Sequence, residues 1–214
     1  MKHYRRHEVA LAVGLSAIAG YVDAIGFLKL GGFFVSFMSG NSTRLGVGVA
    51  TGRWDMVRTA LGLIGLFVAG VVAGALVARL AGEGRRSVVL AFEAALLAAA
   101  ATLIGAGFDS AGVAAMVLAM GAENAVFQRD GDVGVGLTYM TGALVKAGQR
   151  IAAALTGGDR WAWGPYLLLW AGLTTGGAIG AAAYTHIGTL ALWGAAALVA
   201  GLAIWRLVEE REPA

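Results

Sequence analysis

Apolar residues run along this chain in long blocks separated by short polar connections. Six blocks, 9–28, 57–78, 87–107, 111–128, 164–185 and 188–208, come close to the roughly 20 residues a helix needs to cross a bilayer. Two more, 33–51 and 133–156, are long enough but carry polar residues inside. The first contains "FFVSFMSGNSTRLGVGVA", with Ser39, Gly40, Asn41, Ser42, Thr43 and Arg44 at its middle. The connections hold most of the arginine: "GRWD" at 52–55, "RLAGEGRR" at 79–86, "RDGD" at 129–132 and "TGGDRW" at 156–161. No linker or soluble domain interrupts the series. The pattern predicts one membrane domain, 1–214, an all-α integral membrane protein with six transmembrane helices plus two broken or re-entrant segments.

A polar break inside a hydrophobic block has a physical meaning. The bilayer core holds no water to satisfy backbone groups, so non-helical chain survives there only when buried in protein or lining a wet cavity. Gly40 permits a departure from helix geometry. Ser39, Asn41, Ser42 and Thr43 are residue types that cap helix starts. The expected local structure is extended chain to about Ser39 and a short helix from Asn41 to Ala50. The second interrupted block predicts extended chain to Tyr139 and a helix from about Ala143 to Leu155. Two such helix starts facing the interior would carry partial positive charge and favour anions.

Composition agrees with a membrane setting. The chain is 58% hydrophobic and 14% charged, and its mean hydropathy is +0.74. That charge is too sparse to cover a soluble surface, which typically carries about 25%. The net charge of +3 reads as Lys and Arg in cytoplasmic loops. No basic face with interleaved aromatics suggests nucleic-acid binding. The chain contains no cysteine, which excludes disulfides and thiolate chemistry. The start, "MKHYRRHEVALAVGLSAIAG", imitates a secretion signal, but the apolar run continues to Leu30 and predicts an uncleaved first span.

The two halves align with each other. "FMSGNSTRLG" (37–46) matches "YMTGALVKAG" (139–148), pairing Ser39 with Thr141, Gly40 with Gly142 and Arg44 with Lys146. "VDAIGF" (22–27) matches "ENAVFQ" (123–128), pairing Asp23 with Asn124. Gly70 and Gly74 pair with Gly176 and Gly180. The expectation is an internal two-fold repeat, about 8–107 and about 110–208. If the interrupted blocks dip in and return, six crossings relate the halves as inverted repeats and place 12 of the 16 Lys and Arg inside. The alternative, eight crossings, makes the repeats parallel. Inverted repeats are common in transporters, and "SGNSTR" makes a poor full span, so the inverted arrangement is favoured. Both termini are then cytoplasmic.

The candidate site follows from the repeat. Ser39, Gly40, Asn41, Arg44, Thr141, Gly142, Lys146 and Asn124 are the expected substrate-binding residues. The alternative for Arg44 and Lys146 is snorkelling to the interface, for which Lys146 is well placed beside Arg150. Asp23, Glu123 and Glu93 are candidates for proton or ion coupling, since carboxyl groups within spans are costly and face the interior or a partner. Asp23 with Arg44, or Glu123 with Lys146, would alternatively be structural ion pairs. Glu93 stands alone in "VVLAFEAALLAAAA", outside the duplicated features. Gly70 and Gly74 form a GxxxG pair that suits helix packing within or between chains. No metal-ligating or Ser-His-Asp constellation appears, so no cofactor, metal or enzymatic activity is expected.

"GYVDAIGF", "FVSFMSGNSTRLG", "MGAENA" and "TYMTGALVKAGQRI" together resemble the YoaK family of bacterial multi-pass membrane proteins, a domain of unknown function. The resemblance covers most of the chain. The family's segments V-D-A-x-G-F, M-T-G-N and M-G-x-Q-N-A correspond here to Val22–Phe27, Met38–Asn41 and Met120–Ala125. Ser39 replaces the usual Thr and keeps its hydroxyl; Glu123 replaces the usual Gln and adds a charge. The resemblance implies a bacterial inner-membrane location and no particular substrate. Two functions remain open on the residues: a transporter or channel-like permease for a small anion, and a non-transporting scaffold or sensor. The expected partners are a small solute and the lipid bilayer, with a homodimer through Gly-rich helices as a further arrangement.

Overall fold

The computed structural model describes residues 6–129, 132–133 and 136–211. Lys2 and Arg5, two of the basic residues counted on the inside above, lie outside them. Among the described residues eight α-helices follow in order: α1 Arg6–Lys29, α2 Met38–Ala50, α3 Trp54–Ala81, α4 Arg85–Gly105, α5 Asp109–Ala122, α6 Met140–Leu155, α7 Gly164–Ile187 and α8 Ala191–Arg211. A 3-10 turn, Glu123–Phe127, extends α5. A minimal hairpin of β1 (Gln128–Arg129) and β2 (Asp132–Val133) follows it.

The expected helical membrane fold is observed. Five helical stretches among the described residues are long and apolar enough to cross a membrane. The last, Gly164–Glu209, runs to 46 residues because it joins α7 and α8 through the turn at Gly188–Leu190. Gly188 sits there at φ 60°, a conformation that side-chain-bearing residues resist, and it ends α7. The interrupted blocks become α2 and α6, of 13 and 16 residues. At 1.5 Å per residue they reach roughly 20 and 24 Å, short of the roughly 30 Å hydrocarbon core.

Small residues set how the long helices meet. α1 packs along α7, α3 along α5, and α4 is held between α5 and α8. Where α1 crosses α7, Gly176 lies against the Ala17 carbonyl, Gly180 against that of Tyr21 and Gly20 against that of Leu173. Where α3 crosses α5, Gly70 lies against the Leu118 carbonyl, Gly74 against that of Ala122 and Gly121 against that of Phe67. A Cβ on Gly74 would sit 2.6 Å from the Ala122 oxygen, so only Gly allows this approach. In lipid no hydrophobic force draws helices together, and close backbone packing takes over that role. Gly70 and Gly74 are therefore committed to a crossing inside the chain.

Two ion pairs tie helix ends together. Lys29, ending α1, donates to Asp109, opening α5, at 2.7 Å. Arg86, near the start of α4, donates to Glu8, near the start of α1, at 2.9 Å.

Candidate functional site

The site is built from the two short helices and the chain that leads into each. α1 ends at Lys29, and Gly31 and Gly32, at φ 62° and 98°, turn the chain back toward the interior. Residues 33–37 then run without regular structure to α2. Two side chains hold this segment. From α1, Asp23 accepts hydrogen bonds through Oδ1 from the Val35 and Ser36 amides, both at 2.8 Å. From inside α2, the fully buried Asn41 accepts from the Phe34 amide at 3.0 Å and donates to the Phe34 carbonyl at 2.7 Å. Asn41 thereby acts as a surrogate peptide for a backbone that has no strand partner. The roles of Asp23 and Asn41 in this structure are to position backbone.

The helix starts differ from expectation in one respect. Both begin earlier than the sequence suggests, at Met38 and Met140, so Gly40 and Gly142 lie within helices and neither has positive φ. The breaks fall at Phe37 and Tyr139, whose backbone angles are nearly the same: φ −85°, ψ 75° and φ −89°, ψ 58°. No side chain caps either start. Ser42 and Thr43, expected as caps, instead donate to the carbonyls of Met38 and Ser39 one turn back. That bonding is available to a hydroxyl on any helical turn and competes with capping.

The uncapped starts converge on a cavity of about 260 Å³. Ser36, Met38 and Ser39 line one side and Thr138, Met140, Thr141 and Gly142 the other, with Phe37, Tyr139 and Phe67 of α3 completing the wall. The first amides of an α-helix have no partner within the helix, so starts without side-chain caps carry partial positive charge; at α2 the Met38 and Gly40 amides already donate to the Ser36 and Phe37 carbonyls, so the donors come mainly from the α6 start and the hydroxyls. Ser39, Thr141 and Gly142 thus line one cavity. Gly40 does not line it; a Cβ there would meet the Phe37 and Phe34 rings at 2.6 and 2.9 Å.

The expected basic interior is not assembled. Arg44 lies half-buried with its guanidinium 4.9 Å from the Phe33 ring centroid, and Lys146 is exposed on α6. Neither lines the cavity. Among the described residues there is no Asp23–Arg44 or Glu123–Lys146 ion pair: Asp23 serves amides, and Glu123 lies fully buried away from Lys146. Asn124, aligned with Asp23, behaves differently. It donates to the Met120 and Gly121 carbonyls of its own helix, and its Oδ1 is buried without a partner. Glu93, alone in its apolar run, is buried on α4, which packs on the turn that carries Glu123.

Ser36, Thr138 and Phe67 were missed. The signal for the first two was present: extending the alignment of "FMSG" with "YMTG" by one residue pairs Ser36 with Thr138, a hydroxyl against a hydroxyl. Phe67 sits in an unbroken apolar span, and nothing in its surroundings sets it apart.

The arrangement defines a multi-pass helical membrane protein with two short helices whose starts meet at a partly open cavity. The chain belongs to the family described as "Protein of unknown function (DUF1275)", whose model matches residues 11–205. It is 35% identical over 191 residues to the UPF0700 transmembrane protein RA0705 of Rhizobium meliloti (strain 1021), covering 88% of this chain and 82% of the relative. No solved structure matches.

Proposed function

We propose that this protein is a transporter or channel-like permease for a small anionic solute, bound in the cavity between the starts of α2 and α6. The observation that carries the reading is the meeting of two uncapped helix starts, with Ser39 and Thr141 hydroxyls beside them, around a space of about 260 Å³. Half-helices whose positive ends point at an anionic group are a recurring device of membrane transporters. With Arg44 and Lys146 outside the cavity, the attraction for negative charge comes from amide and hydroxyl donors. The function is transport without catalysis, in a bacterial inner membrane.

The proposed topology has six crossings, two re-entrant half-helices, both termini cytoplasmic and halves related as an inverted repeat. Three observations support it. The half-helices are shorter than the bilayer. The glycine crossings of α1 with α7 and of α3 with α5 use sequence-aligned residues. The Lys29–Asp109 and Arg86–Glu8 pairs each join ends that six crossings put on the same side and eight would put on opposite sides. A homodimer would use small surface on α3 such as Gly62 and Gly65, where an added Cβ meets nothing within 4 Å.

A scaffold or sensor role is the second reading. It is favoured by Asp23 and Asn41, the most specific polar residues of the segment, being spent on backbone. Reconstitution separates the two. Purified protein in liposomes is expected to take up one or more members of a panel of labelled small anions. Gly142→Leu has room for its side chain, places bulk at the cavity wall and should abolish uptake at near-normal folded yield. Absence of uptake across the panel, or undiminished uptake by the folded Gly142→Leu variant, would reject the cavity as a transport site.

A further inference from the structure

Away from the cavity, α4 packs on the turn that extends α5, and each of the two elements buries an acid. Glu93 and Glu123 are both 0% exposed, and none of their four carboxyl oxygens has a hydrogen-bond partner. Glu93 is the charged group that acts on Glu123. The charged residues of the packed elements are placed elsewhere. Arg86 of α4 is paired with Glu8, Asp109 of α5 with Lys29, and Arg206 of α8 with Glu209. Asp55, Arg58 and Arg79 of α3 stand toward its ends. Among the described side chains no cation compensates either carboxyl group.

Two ionised carboxylates in this position would have neither solvation nor a counter-charge, and they would repel each other in a medium that screens poorly. The arrangement also supplies acceptors without donors. Asn124 Oδ1, next to Glu123 in the chain, is a further buried acceptor without a partner. A proton removes one charge and adds the O–H donor that the oxygens lack.

We propose that Glu93 and Glu123 form an internal proton-binding site, with at least one of the two carboxyl groups protonated in the folded protein at neutral pH. Binding is a simple protonation, taking one proton from solvent and reducing the charge of the pair by one. The site is independent of the transport reading, since neither residue lines the cavity.

The test is infrared spectroscopy of the full-length protein in lipid nanodiscs at neutral pH, comparing wild type with E93Q, E123Q and the double variant. Glutamine keeps the shape, so folding is checked by melting temperature alongside. The spectrum of wild type minus double variant is expected to contain the carbonyl stretch of a protonated carboxyl group, shifted by heavy water. Each single variant should move or remove that band, because each changes the neighbour of the remaining acid. A difference spectrum without the band would overturn the proposal. So would a melting temperature raised by sodium over choline in wild type but not in the double variant, which would make a metal cation the occupant. If the double variant does not fold, the singles carry the test, and a band unchanged in both overturns it.

Discussion

The clearest structural prediction concerns Asn41, the side chain that replaces a missing strand partner. Its amide makes a pair of hydrogen bonds to the backbone of Phe34, at 3.0 and 2.7 Å. Asn41→Ala removes both partners at once and leaves the Phe34 amide and carbonyl unpaired. Orphaning a buried polar group costs about 1–3 kcal/mol, so two give roughly 2–6 kcal/mol. Phe34 itself is only half-buried, and water can replace part of the loss. That places the expected cost near the low end, about 2–3 kcal/mol. For a chain of this size each 1 kcal/mol lowers the melting temperature by about 2–4 °C, which predicts a fall of about 4–12 °C. Ser42→Ala is the control. Its hydroxyl bonds only to the Met38 carbonyl of its own helix and is exposed, so its melting temperature should match wild type. The assay is thermal unfolding in detergent, followed by tryptophan fluorescence, with ligand absent. Equal melting temperatures for Asn41→Ala and Ser42→Ala would refute the claim that Asn41 holds the segment before α2 in place.

Three further expectations follow from the packing and the proposed topology. Gly176→Ala drives a methyl group into the Ala17 carbonyl and should cost about 1–3 kcal/mol or more, whereas the adjacent Gly177→Ala meets the Gly20 carbonyl oxygen at 3.6 Å and should be tolerated, as folded yield and melting temperature will report. Because the chain has no native cysteine, Leu80→Cys and Leu190→Cys, at exposed positions, can be labelled with a membrane-impermeant reagent in intact cells; Leu190→Cys should react from outside and Leu80→Cys only after permeabilisation, and the reverse pattern would reject the six-crossing orientation. The Lys29–Asp109 pair has one well-exposed partner, so a double-mutant cycle on melting should give a coupling below about 1 kcal/mol even though the pair registers α1 against α5.

Much of this architecture was legible in the sequence. Apolar blocks of about 20 residues point to helices, because a helix satisfies its own backbone hydrogen bonds over that length and a barrel strand would be about half as long. The polar residues at 39–44, and their aligned counterparts in the second half, marked where the chain shortens to half-helices. The aligned glycines at 70, 74, 176 and 180 marked the close crossings, since only Gly admits a carbonyl so near its Cα. Tertiary structure decided the rest, because the remaining questions concern direction in space. The sequence showed that Arg44 and Lys146 were basic and matched; packing turned one onto Phe33 and the other outward. It showed Gly40 and Asn41 side by side, but the chain breaks upstream of both because Asp23, on another helix, captures the amides of Val35 and Ser36. Glu93 and Glu123 are thirty positions apart on different elements, and no local pattern could pair them. Only the packing of α4 on the end of α5 brings these acids together, because a helix's own periodicity specifies which face is apolar and leaves open what that face will meet.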